Sequence, residues 1–149
     1  MKILIVTSPG GHIFQTYLLK KWWQKHDRVW VTHDTVDVKY LLKNEKVIYS
    51  KYLKYRSLWS FIFQAWFAFR VLVQEKPNFV FSMGSGIAVP YFWLAKLFQI
   101  KTIFIEVYDF IDSPSLTARL IAPFTWKVLV QHKSLKNKIR GAIFQGSVI

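Results

Sequence analysis

The chain opens Met1-Lys2-Ile3-Leu4-Ile5-Val6-Thr7-Ser8-Pro9-Gly10-Gly11-His12, and the reading of this stretch decides the fold class. Ile3–Thr7 is an unbroken apolar and β-branched run, the composition of a strand buried on both sides of a sheet. It passes straight into Pro9-Gly10-Gly11, where a chain turns. Ile13–Lys25 follows, with Leu18, Leu19, Trp22 and Trp23 on one side, and reads as a helix. Strand, glycine turn and helix form the opening unit of a parallel α/β sheet. The apolar run is too short for a secretory signal and lacks the small-residue cleavage pattern. A cytoplasmic protein is the expectation.

The same rhythm continues along the chain. Strands are predicted at Arg28–Thr32, Val47–Tyr49, Phe79–Ser82, Thr102–Glu106 and Lys127–Val130, with one more strand and turn within Ala142–Val148. Between them, helices are predicted at Thr35–Leu42, Leu58–Gln74, Ile87–Phe98 and Ser115–Ile121. Ser57 is placed to cap the long one and Pro77 to stop it. The implied architecture is a Rossmann-like parallel sheet with helices on both faces, in one domain spanning residues 1–149. Ligands of such sheets bind at the carboxyl ends of the strands. The residues after the last predicted strand are too few for a second lobe.

Composition narrows the function classes. Hydrophobic residues make up 52% and aromatics 18%, ample for a folded interior, which excludes a disordered tail. Twenty-one Lys and Arg against eight Asp and Glu leave a net charge of +13, which calls for an anionic partner: nucleic acid, anionic lipid or a phosphorylated substrate. With no cysteine, disulfides, Cys-ligated zinc and a thiol nucleophile are all excluded.

Two glycine loops could carry chemistry. In the first, Gly10 and Gly11 let backbone N–H groups approach a phosphate at a helix N-terminus. The loop lacks the third glycine of the dinucleotide fingerprint and the Lys-Ser/Thr of a P-loop. In the second, Ser82-Met83-Gly84-Ser85-Gly86 again precedes a helix at the carboxyl edge. Two such loops facing one crevice point to a bound diphosphate or sugar. His12 is a candidate general base or acceptor ligand, or a residue bonded within its own loop. Glu106, ending its strand, is catalytic, sugar-binding or a cap for the segment after it. Asp109 or Asp112 is expected to cap the next helix. His26, His33 and His132 show no metal-ligand spacing and read as surface residues, so no metal is expected.

Residues 58–73 are apolar apart from Ser60, Gln64 and Arg70. A helix apolar nearly all round packs against protein or lipid, yet this one is too short and too interrupted by Arg70 to span a membrane. Lys51, Lys54 and Arg56, interleaved with Tyr52 and Tyr55, precede it. Together with Trp59, Phe63 and Trp66 they form an expected interfacial anchor on an anionic membrane surface. Trp22, Trp23, Tyr91 and Trp93 are candidates to extend that patch.

Ser8-Pro9-Gly10-Gly11-His12 with Gln15, Ser82-Met83-Gly84-Ser85-Gly86 with Pro90, and Phe104-Ile105-Glu106, in that order, resemble one family. It comprises accessory glycosyltransferase subunits of bacterial capsular and exopolysaccharide synthesis. It also includes the membrane-bound subunit of the eukaryotic enzyme that adds the second GlcNAc to dolichol-linked oligosaccharide. Both are similar to the N-terminal half of the peptidoglycan GlcNAc-transferase acting on lipid I.

The resemblance implies a single N-terminal-type GT-B lobe that holds a polyprenyl-diphosphate-linked acceptor, inactive without a separate nucleotide-sugar-binding catalytic subunit. No cofactor is expected, and the interfacial patch places the chain peripherally on the cytoplasmic face of the plasma membrane. The acceptor-side positions fall on Gly10, Gly11 and His12, the second loop on Gly84 and Gly86, with Ser82 and Ser85 beside them, and the strand-end carboxylate on Glu106. The eukaryotic subunit carries an N-terminal transmembrane helix, whereas this sequence begins at its first strand. Two other classes would use the same composition. A nucleic-acid-binding module needs a recognised motif that is absent here, so no nucleic-acid partner is expected. A nicotinamide-dependent enzyme would place Asp34 on a ribose, but it requires the missing glycine.

Overall fold

The computed structural model describes residues 1–51 and 58–149. Seven strands, all parallel, form one sheet in the order β3-β2-β1-β4-β5-β6-β7. They are β1 (Lys2–Val6), β2 (Asp27–His33), β3 (Val47–Ser50), β4 (Phe79–Ser82), β5 (Lys101–Ile105), β6 (Lys127–Val130) and β7 (Ala142–Phe144). The helices are α1 (Gly11–Leu18), α2 (Lys20–Trp23), α3 (Val36–Leu41), α4 (Leu58–Glu75), α5 (Ala88–Leu97) and α6 (Leu116–Ile121). The predicted Rossmann-like sheet is the observed one.

Alternation along each strand builds two cores. Ile3 and Ile5 of β1, Trp30 of β2, and Phe79 and Phe81 of β4 face Ile13, Trp23, Val38 and Leu42 of the α1–α3 layer. Leu4 and Val6, Val29 and Val31, and Val80 face the opposite way, onto Ala68, Val71 and Leu72 of α4 and onto α5 and α6. Burying both faces is the reason the strands read as continuous apolar runs rather than alternating ones. At the amino edge of the sheet, Glu75 accepts from Lys2 Nζ at 2.7 Å and from Lys46 Nζ at 2.8 Å. These ion pairs pin the end of α4 beneath β1 and β3, and the two ammonium groups hold the Glu75 carboxyl below its usual range.

Three expectations need correction. The helix read over Ile13–Lys25 breaks at Leu19 into α1 and α2. There the Leu19 amide bonds Thr16 O at 3.2 Å and the Trp23 indole bonds the same carbonyl at 3.0 Å. The bend seats Trp23 edge-on against Trp30, centroids 5.2 Å apart. Consequently Trp23, like Tyr91 of α5, is core rather than surface patch, each only 1% exposed. Finally, α6 is capped by Ser115, whose Oγ accepts from Ala118 N at 3.0 Å, and not by Asp109 or Asp112. Ser57, Lys54 and Arg56 lie outside the described residues.

Candidate functional site

Strand order reverses between β1 and β4, since β1 continues to β2 and β4 to β5. Loops leaving these two strands diverge, and the divergence opens a crevice at the carboxyl edge. A cleft of about 850 Å³ lies there, lined by Ser8, Pro9 and His12 from the first loop and Ser85 and Gly86 from the second. It extends over the ends of β2 and β3, past His33, Asp34, Thr35, Tyr49, Ser50 and Lys51.

His12 joins the two loops. Its Nδ1 lies 3.0 Å from Met83 O. A carbonyl only accepts, so Nδ1 carries the proton and Nε2 is the basic nitrogen. Among the described residues Nε2 has no hydrogen-bond partner. The ring is thus held in one tautomer while its lone pair stays available at the cleft wall. Gly84 makes this seat possible. Its φ of +85° suits glycine, and a Cβ there would sit 3.0 Å from His12 Cε1.

The other loop residues divide into two groups. Ser85 and Gly86 reach the cleft, and Ser85 holds a positive φ of 86°, a left-handed conformation that costs a non-glycine residue energy. Ser82 is fully buried, and its hydroxyl donates to Gly84 O at 2.7 Å, which shapes the loop instead of facing the cleft. In the first loop, Gly10 N–H donates to Asp37 Oδ2 at 3.1 Å. The Thr35 hydroxyl on the other oxygen at 2.5 Å, more than the Gly10 amide, holds the Asp37 carboxyl below its ordinary value. The Gly10 amide is therefore already bonded. Gly11 and His12, the first residues of α1, have N–H groups with no carbonyl of their own helix to meet.

Glu106 is fully buried and is not among the residues lining the cleft, although it is near enough to His12 to feel its charge. It accepts from Ser115 N at 2.9 Å and from Val107 N at 3.2 Å. Burial pushes its carboxyl above the usual range, against the pull of these amides and of His12. Beside it, the Gln131 amide donates to Glu106 O at 3.0 Å and to Gln15 Oε1 at 3.2 Å, and accepts from Val148 N at 2.9 Å. Gln15 Oε1 also accepts from Tyr108 N at 3.0 Å.

Sequence reasoning missed the Gln15–Gln131 pairing and the Asp37 contact, which depend on residues 116 and 27 positions apart. It also placed His33 on the surface, yet His33 is buried, its Nδ1 donating to Ser50 O at 3.0 Å, and lines the cleft. Its position at the carboxyl end of β2 was the available clue. Lys51, expected on a membrane face, lies at the cleft as well. Trp59, Phe63 and Trp66 do project from α4, 79%, 48% and 59% exposed. No helix among the described residues is long and apolar enough to cross a membrane.

Residues 33–148 match the family of oligosaccharide biosynthesis proteins described as Alg14 like. The chain belongs to the Alg14-like family. That match starts at the end of β2, but similarity to a second protein takes in nearly all of the chain. This relative is the UDP-N-acetylglucosamine–N-acetylmuramyl-(pentapeptide) pyrophosphoryl-undecaprenol N-acetylglucosamine transferase of Blochmanniella floridana, 27% identical over 166 residues, 97% of this chain and 42% of the relative. Among solved structures, MurG of Acinetobacter baumannii superposes with a TM-score of 0.80 at 18% identity, over 99% of this chain and 45% of its own. The UDP-GlcNAc 2-epimerase of Neisseria meningitidis bound to UDP-GlcNAc gives 0.75 at 16% identity, over 99% and 47%. At these identities the superpositions show the fold: one Rossmann-like lobe of GT-B type. This Alg14-like chain spans less than half the length of each of the three.

Proposed function

We propose that this chain is the acceptor-binding, membrane-associated subunit of a two-component glycosyltransferase. It binds a polyprenyl-diphosphate-linked saccharide while a separate subunit supplies the nucleotide sugar, and it works in capsular or exopolysaccharide assembly. The observation that carries the reading is the His12 ring, fixed through Nδ1 on Met83 O, with Nε2 unpaired among the described residues, at a cleft between two glycine loops. Family membership and similarity to the lobe of a pyrophosphoryl-undecaprenol-directed transferase support it.

In the proposed reaction, Nε2 of His12 takes the proton of the acceptor hydroxyl as that oxygen attacks the anomeric carbon of the donor sugar. The bond from that carbon to the nucleoside diphosphate breaks, and the diphosphate departs with the electron pair. Free amides at the start of α1 and around Ser85 and Gly86 hold the acceptor's own diphosphate. Glu106 keeps the segment from Val107 to Ser115 in shape.

Membrane attachment is assigned to the outer stripe of α4. Its buried residues are Gln64, Ala68, Val71 and Leu72, so the larger rings of Trp59, Phe63 and Trp66 face outward. Phe61 and Phe67 pack on the core, and a helix that still turns three further large rings outward is built for an apolar neighbour.

The test is reconstitution. The purified chain with a nucleotide sugar and a lipid-diphosphate acceptor should turn over only when the partner subunit is added. Full turnover by the chain alone would sink the two-component reading. Replacing Trp59, Phe63 and Trp66 by Ser should move the folded protein from liposomes to solution, each ring contributing roughly 2 kcal/mol of partitioning. Unchanged liposome binding would show that α4 is not the anchor.

A further inference from the structure

The cleft continues well beyond His12, over the carboxyl ends of β2 and β3. A diphosphate on the glycine loops leaves that end open. Across its floor His33 Nδ1 donates to Ser50 O and ties the two strand ends together. On this floor stands Tyr49, whose ring is 42% exposed although it belongs to a strand and lines the cleft. The Asp34 carboxylate lines the same cleft and is held by Lys39 Nζ at 2.7 Å while staying exposed.

An exposed aromatic ring and a carboxylate lining one cleft are a pairing that suits a pyranose. The apolar C–H face of the sugar packs on the ring, and its hydroxyls donate to the carboxylate. A nucleobase would need an edge of alternating donors and acceptors. We infer that the β2–β3 end of the cleft is a saccharide subsite, with Tyr49 as platform and Asp34 as the residue that selects among sugars by their hydroxyl pattern. This assignment rests on the acceptor-binding reading above and adds where the first sugar of that acceptor lies.

The test measures binding by the purified chain with farnesyl diphosphate and with farnesyl-diphosphate-linked GlcNAc, glucose, galactose and glucuronic acid. The wild type should bind at least one sugar-bearing probe about tenfold tighter than farnesyl diphosphate, the scale of one good polar or ring contact. Tyr49→Leu and Asp34→Asn should each lose most of that increment while keeping the farnesyl diphosphate affinity within about twofold. Tyr49→Phe, which keeps the ring, should retain the increment. Both positions are exposed, so folding is not at stake. Two results overturn the subsite: no sugar-bearing probe binding more tightly than farnesyl diphosphate, or an increment that survives both Tyr49→Leu and Asp34→Asn. Failure of the wild type to bind farnesyl diphosphate at all would overturn the acceptor reading and the subsite with it.

Discussion

The carboxyl ends of β1 and β4 and those of β5 and β6 lie along one edge of one sheet, yet they are finished in opposite ways. At β1 and β4 the loops diverge, the backbone takes glycine conformations at Gly10 and Gly84, and His12 at the open cleft keeps one nitrogen unpaired among the described residues. At β5 and β6 the edge is closed. Glu106, Gln131 and Gln15 are buried and bonded to one another's backbone or amide groups. An ionisable group with spare hydrogen-bonding capacity can exchange protons with a ligand, whereas one whose oxygens already serve backbone amides holds a loop. Both groups stand at the carboxyl edge of the sheet, and satisfaction separates them.

The largest effect should come from the open end. His12→Ala in the reconstituted pair should lower transfer roughly 100- to 10,000-fold, the range for a general base, with an unchanged unfolding midpoint. Near wild-type transfer by the variant would erase the distinction between the two ends.

Gly84→Ala should damage both fold and chemistry. The φ of +85° and the 3.0 Å approach to His12 Cε1 predict a loss of about 1–3 kcal/mol in stability. The displaced ring should also lower the rate more than the folded fraction explains. Denaturant unfolding and activity on the same sample separate the two parts.

Glu106→Gln should act on the closed end alone. Its new NH₂ group opposes one of the two backbone donors at Ser115 and Val107, which costs about 1–3 kcal/mol. Activity per folded molecule should stay near wild type. The pH dependence gives a second check. Burial raises this carboxyl in the folded state, so the native protein holds the proton more tightly than the unfolded chain does. The associated stability is present below the ordinary carboxylate value and lost as pH rises through the raised folded value. The Gln variant should lack that slope, and an unaltered slope would refute the assignment.

The smallest effect belongs to Asp37. The Thr35 hydroxyl lowers its pKa, so its contribution is present above the ordinary carboxylate value and lost as pH falls through the depressed one. Asp37→Asn should flatten the acid limb of the unfolding midpoint slightly. A large change would mean that the Gly10 contact holds the first loop more firmly than an exposed bond does.

Much of this was legible in the residues themselves. β4 and β6 have the bounds read from their apolar runs, because strands buried on both faces leave an uninterrupted signal. Both glycine loops were visible for the same local reason: tight turns after strands demand glycine. The break at Leu19 was not legible, since both halves have good helix formers and the bend is decided by where Trp23 finds Trp30. Lys51 was read by its basic and aromatic neighbours as part of an anchor, but the end of β3 delivers it to the cleft.

Sequence alone therefore determined the layered parallel sheet, the two loops at its reversal point and the aromatic excess on α4. Each of these follows from period, composition and turn chemistry within a dozen or so residues. Tertiary structure decided which polar groups are free. His12 is available because Met83, 71 positions away, takes its other nitrogen. Glu106 is engaged because Ser115 folds back onto it. Hydrogen-bond satisfaction is a property of neighbours in space, and no window along the chain contains them.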